Sequence, residues 1–381
     1  MPRLLVALAL ALLTLPTAAH AAERRVPQGW LGVTVDGPVN PYKPGEWNRM
    51  TRSGVESVRI AVRWFQLQPY APGAVPETER ARFRDVGGVP TDFTPFDAYV
   101  AAAAARGLAV LPVVELAPSW LAIRPMDRAS PPADPEAYGR FMAALVGRYG
   151  PDGSLWRERP ELRKVPIRTW QIWNEPSLGG FWSEQPFAPT FVPLLRSAAT
   201  AVRAADPGAK LVLAGLPNLS WEDLERLYAA GARGLFDAVA VHPYTRRPRD
   251  VVRVIQRARR VMRANGDAAV PIWVTEMSWP AAVGRAPTPT GFEVTDAGQA
   301  GRLATALRML FKARGRLRIE RVFWYTWLSR TDGPSVFDWS GLRRVRDGRR
   351  VGTPALAVFR RAARRLQGCP KAPSDARSCA P

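Results

Sequence analysis

The sequence is poor in cysteine, histidine and lysine, and each shortage excludes something. Cys369 and Cys379 are its two cysteines, both in a tail containing Pro and Ser. A pair so far from any candidate site suggests neither a metal centre nor a thiol nucleophile. In an oxidising compartment it can close a small loop that pins the tail. His20 and His242 are the two histidines; His20 falls within the expected N-terminal signal, which leaves His242 without a second His to build a zinc site. After Leu15 no apolar run approaches the roughly 20 residues that a membrane-spanning helix needs. No internal repeat and no long low-complexity linker interrupts the chain. Val33-Thr34-Val35-Asp36-Gly37, after the first apolar run, lacks the glycine-rich turn that would cradle a phosphate.

What is present starts with a secretory pattern. Arg3 supplies a positive end, Leu4 to Leu15 an uncharged apolar run, and Ala19-His20-Ala21 small residues at the cleavage positions. Residues 1–21 are therefore expected to be a signal peptide, and the mature protein to be secreted or extracytoplasmic. No Cys follows the run to carry a lipid. The net charge is +21, and only five of the 54 basic residues are Lys. A GC-rich genome gives this Arg bias without functional cause; the functional alternative is attraction to an anionic wall polymer or acidic polysaccharide. The Arg residues between Arg253 and Arg263 are spread along one helix-like segment, as on a solvated face. No basic stripe is interleaved with aromatics, so no nucleic-acid partner is expected.

Eight apolar runs read as strands: Trp30 to Val35, Val55 to Trp64, Leu108 to Glu115, Ile167 to Trp173, Leu211 to Leu216, Phe236 to His242, Ile272 to Thr275 and Val322 to Leu328. Near-continuous Val, Ile, Leu and Trp suits parallel strands covered on both faces. Helix signals lie between them. Thr94-Pro95-Phe96-Asp97 and Ser220-Trp221-Glu222-Asp223 look like capping boxes, and Asp134-Pro135, Asp296 and Thr353-Pro354 look like helix starts. Gly107, Gly150, Gly231, Gly266, Gly315 and Gly368 look like stops. This alternation predicts an α/β chain closed into a (β/α)8 TIM barrel over residues 22–368, with 369–381 as a tail. Residues 150–166 and 281–295 read as loops decorating it.

In such a barrel the site stands at the C-terminal ends of the strands. The fourth run ends in Trp173-Asn174-Glu175-Pro176 and the seventh in Thr275-Glu276-Met277. Two carboxylates at one mouth are what glycosidic cleavage requires: one gives a proton to the leaving oxygen, the other attacks or stabilises the sugar carbon. Either glutamate alone would more often cap a loop or pair with an Arg.

Further segments join these. Trp170 to Pro176, Trp273 to Trp279, Val241-His242-Pro243-Tyr244, Val58-Arg59-Ile60, Trp324-Tyr325-Thr326-Trp327 and the closing Gly341-Leu342, Asp347-Gly348 and Pro354-Ala355 together resemble the glycoside hydrolase clan A superfamily, nearest its family 5 and family 39 types. The resemblance runs from about Trp30 to Gln367. It implies Glu175 as acid/base and Glu276 as nucleophile of a retaining enzyme working by double displacement on O-glycosidic bonds of an oligo- or polysaccharide. It implies that Asn174 binds the sugar 2-hydroxyl and that Arg59 and Tyr244 donate to Glu276. His242 orients the pair or touches sugar, and Trp327 forms a platform under the ring.

Several choices stay open in the sequence. Arg63 lies two pleats beyond Arg59 and points to the same face, so either can reach Glu276. Glu115 can bind substrate or pair with Arg. Trp64, Trp120, Trp182 and Trp279 either line subsites or pack the barrel mouth. No cofactor and no metal is expected, and the protein is expected to act as a monomer. The competing functions are transglycosylation at the same residues, a non-catalytic carbohydrate-binding barrel of the envelope, and a basic envelope or nucleic-acid binding protein.

Overall fold

The eight apolar runs form eight parallel strands: β1 Leu31–Thr34, β2 Ser57–Arg63, β3 Ala109–Glu115, β4 Thr169–Ile172, β5 Lys210–Val212, β6 Val239–Val241, β7 Ile272–Val274 and β8 Ile319–Trp324. The computed structural model describes residues 23–369 and 372–377. The strands pair in the order β5-β4-β3-β2-β1-β8-β7-β6. Parallel bridges from Val212 to Ala238 and from Leu216 to Val241 join the two edges. The sheet closes on itself, and the fold is a (β/α)8 barrel. The expected signal peptide and Cys379, on which the tail pairing turns, lie outside the described residues.

Strand alternation divides the side chains between two cores. On β2, Val58, Ile60 and Val62 join the large outer core against the helices, while Arg59, Ala61 and Arg63 face inward to the cavity. Inside the barrel Leu111, Val212, Ala238, Ala240, Trp273 and Phe323 form a separate apolar plug. Gly32 on β1 is part of this fit, because an added Cβ would lie 2.6 Å from the Phe323 ring. The runs that read as uniformly apolar thus carry a few inward polar groups, and those groups build the site.

Each strand is followed by a helix: α1 Pro44–Arg52, α2 Thr94–Ala104, α3 Pro135–Tyr149, α4 Ala188–Ala205, α5 Ser220–Ala229, α6 Pro248–Ala264, α7 Asp296–Leu317 and α8 Pro354–Gln367. Asp134 caps α3 by accepting from the Glu136 amide. The expected capping boxes at Thr94 and Ser220 do not form. Asp92 accepts from the Thr94 amide, and Asp97 pairs with Arg148 instead. The Ser220 hydroxyl is buried inside the first turn of α5, with Leu219 at the cap position. Helices α1 and α4, not singled out in the sequence, carry no side-chain cap; each opens with Pro in its first turn, and α4 has Pro193 within it. The 150–166 segment contains a short helix, Ser154–Glu158. No helix among the described residues is long and apolar enough to cross a membrane.

Candidate active site

The turn after β4 is shaped by two non-glycine residues in left-handed backbone, Trp173 at φ 68° and Glu175 at φ 42°, on either side of Asn174. Such conformations are costly and persist where the surroundings enforce them. Trp173 is fully buried, stacks edge-on to Trp182, and its indole N–H donates to the Phe181 carbonyl at 2.8 Å. The Glu175 amide donates to the Gly215 carbonyl at the end of β5 at 3.0 Å. These ties aim Asn174 and Glu175 into one cavity of about 830 Å³, which Arg59, Glu276 and Tyr244 also line.

Arg59 resolves the choice left open between two arginines. Its Nη1 donates to Glu276 Oε1 at 2.6 Å, Nη2 to Asn174 Oδ1 at 2.7 Å and Nε to Gln171 Oε1 at 2.8 Å. One rigid fork therefore fixes groups on β4 and β7 together. It also sets the Asn174 amide: with Oδ1 occupied, Nδ2 remains to donate to a substrate. Gln171 carried no signal in the sequence beyond being a polar residue inside an apolar strand.

Tyr244 donates to the other Glu276 oxygen at 2.7 Å. Glu276 is 9% exposed. Burial alone pushes its carboxyl up, but the charges of His242 and Arg59 and the bonds from Tyr244 and Arg59 outweigh it and hold it below its ordinary value. Glu276 is thus kept ionised. Burial and the Glu276 charge push the Tyr244 phenol well above its ordinary range, so it remains a donor.

His242 is fully buried between the glutamates. Its Nδ1 lies 2.7 Å from Glu175 Oε1, and its Nε2 lies 3.0 Å from Thr275 Oγ1 and 3.7 Å from Glu276 Oε1. Gly215 makes room for the ring: a Cβ there would stand 2.1 Å from Nε2. Glu175, His242 and Glu276 also bring one ligand atom each within 4.8 Å of one another, a spacing that can hold a cation. In this arrangement Arg59 and the imidazole already serve the two carboxylates.

Trp327 is not where the sequence put it. Its side chain is fully buried on the outer side, and its indole N–H donates to Glu46 of α1 at 2.9 Å. No ring face is left for a sugar. Tyr325, two residues earlier, lines the cavity and donates to Asp36 Oδ2 at 2.5 Å. Trp64, Trp182 and Trp279 are likewise buried, and Trp120 donates to the Gln68 carbonyl. The cavity aromatics are instead Phe181, Phe292, Phe337, Tyr244 and Tyr325. Phe292 comes from the 281–295 loop.

Glu115 ends β3 opposite Arg63 of β2. It lines the cavity at 8% exposure, and no hydrogen bond or ion pair engages its carboxyl among the described residues. Burial pushes it up to about 7, with the Glu276 and Asp36 charges adding to the effect and those of Arg59 and Arg63 opposing it.

The fold has many solved counterparts. A family 39 glycoside hydrolase from Bacteroides cellulosilyticus superposes with a TM-score of 0.60 at 19% identity, over 89% of this chain and 64% of that one. A monomeric β-xylosidase from Caulobacter crescentus gives 0.60 at 18%, over 89% and 69%. The family 53 catalytic domain from Ignisphaera aggregans gives 0.59 at 18%, over 91% and 99%. These structural neighbours are clan A glycosidases. The chain spans somewhat less than two thirds of the Bacteroides protein. At this identity the likeness establishes the fold. No family model matches the sequence, and no curated protein matches it.

Proposed function

We propose that the protein is a retaining glycoside hydrolase in which Glu276 is the nucleophile and Glu175 the acid/base. The observation that carries this is the contrast between two carboxylates at one mouth. Their side chains are about equally exposed, 12% and 13%, but Glu276 accepts from both Arg59 and Tyr244, while Glu175 has His242 as its side-chain partner among the described residues. An oxygen of each lies within 4.8 Å of the other. This supports the short spacing of retaining enzymes, about 5 to 5.5 Å between carboxyl groups, over the wider gap that a water needs in inverting ones.

In the first step a Glu276 oxygen forms a bond to the anomeric carbon. The bond from that carbon to the leaving oxygen breaks, and Glu175 gives its proton to that oxygen. In the second step Glu175 takes a proton from water, the water oxygen bonds to the anomeric carbon and Glu276 departs. Asn174, positioned by Arg59, donates to the 2-hydroxyl. A sugar acceptor in place of water would give transglycosylation with the same residues. The neighbours' names include a β-xylosidase and a β-glycosidase, so β-glycosides are the substrates of choice. The signal pattern further supports action outside the cytoplasm, which N-terminal sequencing of the exported protein would test.

Two variants test the roles. Glu276→Ala should lose activity and regain it with azide, giving a product of inverted configuration. Glu175→Ala should keep partial first-step activity on aryl glycosides with good leaving groups, accumulate intermediate and, with azide, give a product of retained configuration. Swapped stereochemistry would reverse the assignment, and full activity of either variant would remove that glutamate from the mechanism.

A further inference from the structure

The cavity lining mixes two kinds of side chain. Asp36, Arg63, Glu115, Asn174, Tyr244 and Tyr325 are able to hydrogen-bond a sugar, with Phe292 and Phe337 packed against Tyr244. Leu178, Phe181, Pro217 and Leu219, from the segments beyond β4 and β5, form a second, apolar group. Leu178 is 42% and Leu219 52% exposed, and they are the large exposed apolar side chains that line this cavity among the described residues. Large apolar side chains left in water at a binding site mark what the site takes up.

This apolar group lies beside Glu175. The Leu178 amide donates to the Glu175 carbonyl at 2.9 Å, and the Glu175 amide to the Gly215 carbonyl, two residues before Pro217. The two apolar segments therefore flank the residue that must touch the departing oxygen. The neighbouring polar groups are engaged with one another: Ser177 donates to Asp223 at 2.7 Å, and Arg226 pairs with Asp223 at 2.8 Å and with Glu222 at 3.8 Å. Asn218 and the exposed pair Glu222 and Arg226, 3.8 Å apart, are the polar side chains there left to meet hydroxyls, and they stand beyond the apolar group. Of the four, Phe181 alone offers a flat ring face; the two branched leucines and Pro217 do not.

We propose that the group released by this enzyme is an apolar aglycone, an alkyl or aryl alcohol, seated against Leu178, Phe181, Pro217 and Leu219. This rests on the glycosidase reading and adds the substrate class. The same two steps apply: the aglycone leaves as its alcohol carrying the Glu175 proton, and water supplies the oxygen at the anomeric carbon.

The test uses the full chain. A panel of 4-nitrophenyl glycosides identifies the sugar that is turned over. Octyl and methyl glycosides of that sugar are then compared with a disaccharide carrying it at the non-reducing end, all below micelle formation. Octyl and methyl alcohols leave with similar chemistry, so their ratio reports the apolar contact. The octyl compound should exceed both others in kcat/KM by at least about tenfold, the effect of burying two or more of its methylenes. Leu178→Ser and Leu219→Ser should each shrink the octyl-to-methyl ratio. A disaccharide preferred over the octyl glycoside, or a ratio that neither variant moves, overturns the proposal. Calorimetric titration with octyl and methyl β-D-glucosides and β-D-xylosides runs in parallel. Saturable binding of an octyl compound, weakened by Leu219→Ser, without hydrolysis of any glycoside would keep the apolar subsite and refute the glycosidase. Failure of every octyl compound to bind or react would refute the subsite.

Discussion

Replacing Glu115 with Gln should leave stability unchanged at pH 4 and raise it at pH 8. The carboxyl ordinarily titrates near 4.5, and burial at the end of β3 pushes it up to about 7. Below 4.5 both folded and unfolded chains hold the proton. As pH rises from there to 7 the unfolded chain releases it and the folded one does not, so this group's contribution to wild-type stability falls across that window and levels off above it. The full cost is about 3 kcal/mol, at 1.36 kcal/mol for each pH unit between the two values. Gln has the shape of the protonated acid and no proton to lose. With an unfolding entropy of about 2 cal/mol/K per residue, 3 kcal/mol corresponds to roughly 4 °C in Tm for a chain of this length. The assay is differential scanning calorimetry of both proteins from pH 4 to pH 8. The variant's advantage should grow from near zero to that size between pH 4.5 and 7. A constant difference, or an advantage that shrinks as pH rises, would refute the account of Glu115 as a buried acid without a protein partner.

Two further outcomes follow from the site. Arg59→Lys breaks up the three-way fork, and kcat/KM should drop by roughly 10² to 10³, the scale of losing an aligned donor. Because Arg59 helps hold Glu276 below its ordinary value, the acid limb of the pH–rate profile should also move to higher pH. An unmoved limb would separate Arg59 from Glu276 ionisation. Trp327→Phe should lower stability by about 1 to 3 kcal/mol, because it takes a donor from buried Glu46, while KM on an aryl glycoside stays the same. A large rise in KM would restore the platform role.

The barrel was legible because its strands are β-branched runs separated by helices that mostly stop at or near a glycine, although α7 runs through the expected stop Gly315 to Leu317, and the two glutamates because each sits where a run ends. What stayed hidden depended on depth and partners. Arg59 and Arg63 share a face, and the sequence offers no measure of which lies level with Glu276. Trp327 looked like a platform because aromatics at a strand end commonly face the mouth. Its real partner, Glu46, belongs to α1, 281 residues away in the sequence, and Tyr325 takes the cavity position. Ser220 had the spacing of a cap but was drawn inside the first turn. Leu178 and Leu219 look like ordinary loop residues until the fold sets them on either side of Glu175.

The alternation along β2 also bears on how this protein can change over time. Arg59 faces the lumen, and Val58 and Ile60 face the helices. Adding or losing one residue upstream within that strand would turn the guanidinium outward and a branched side chain into the cavity. Gain or loss of sequence is therefore barred from the strands and confined to the segments beyond their ends, such as 176–181, 217–219 and 281–295. Descendants of this chain can remodel the cavity wall by altering those segments, while Arg59, Glu175 and Glu276 keep their places within it.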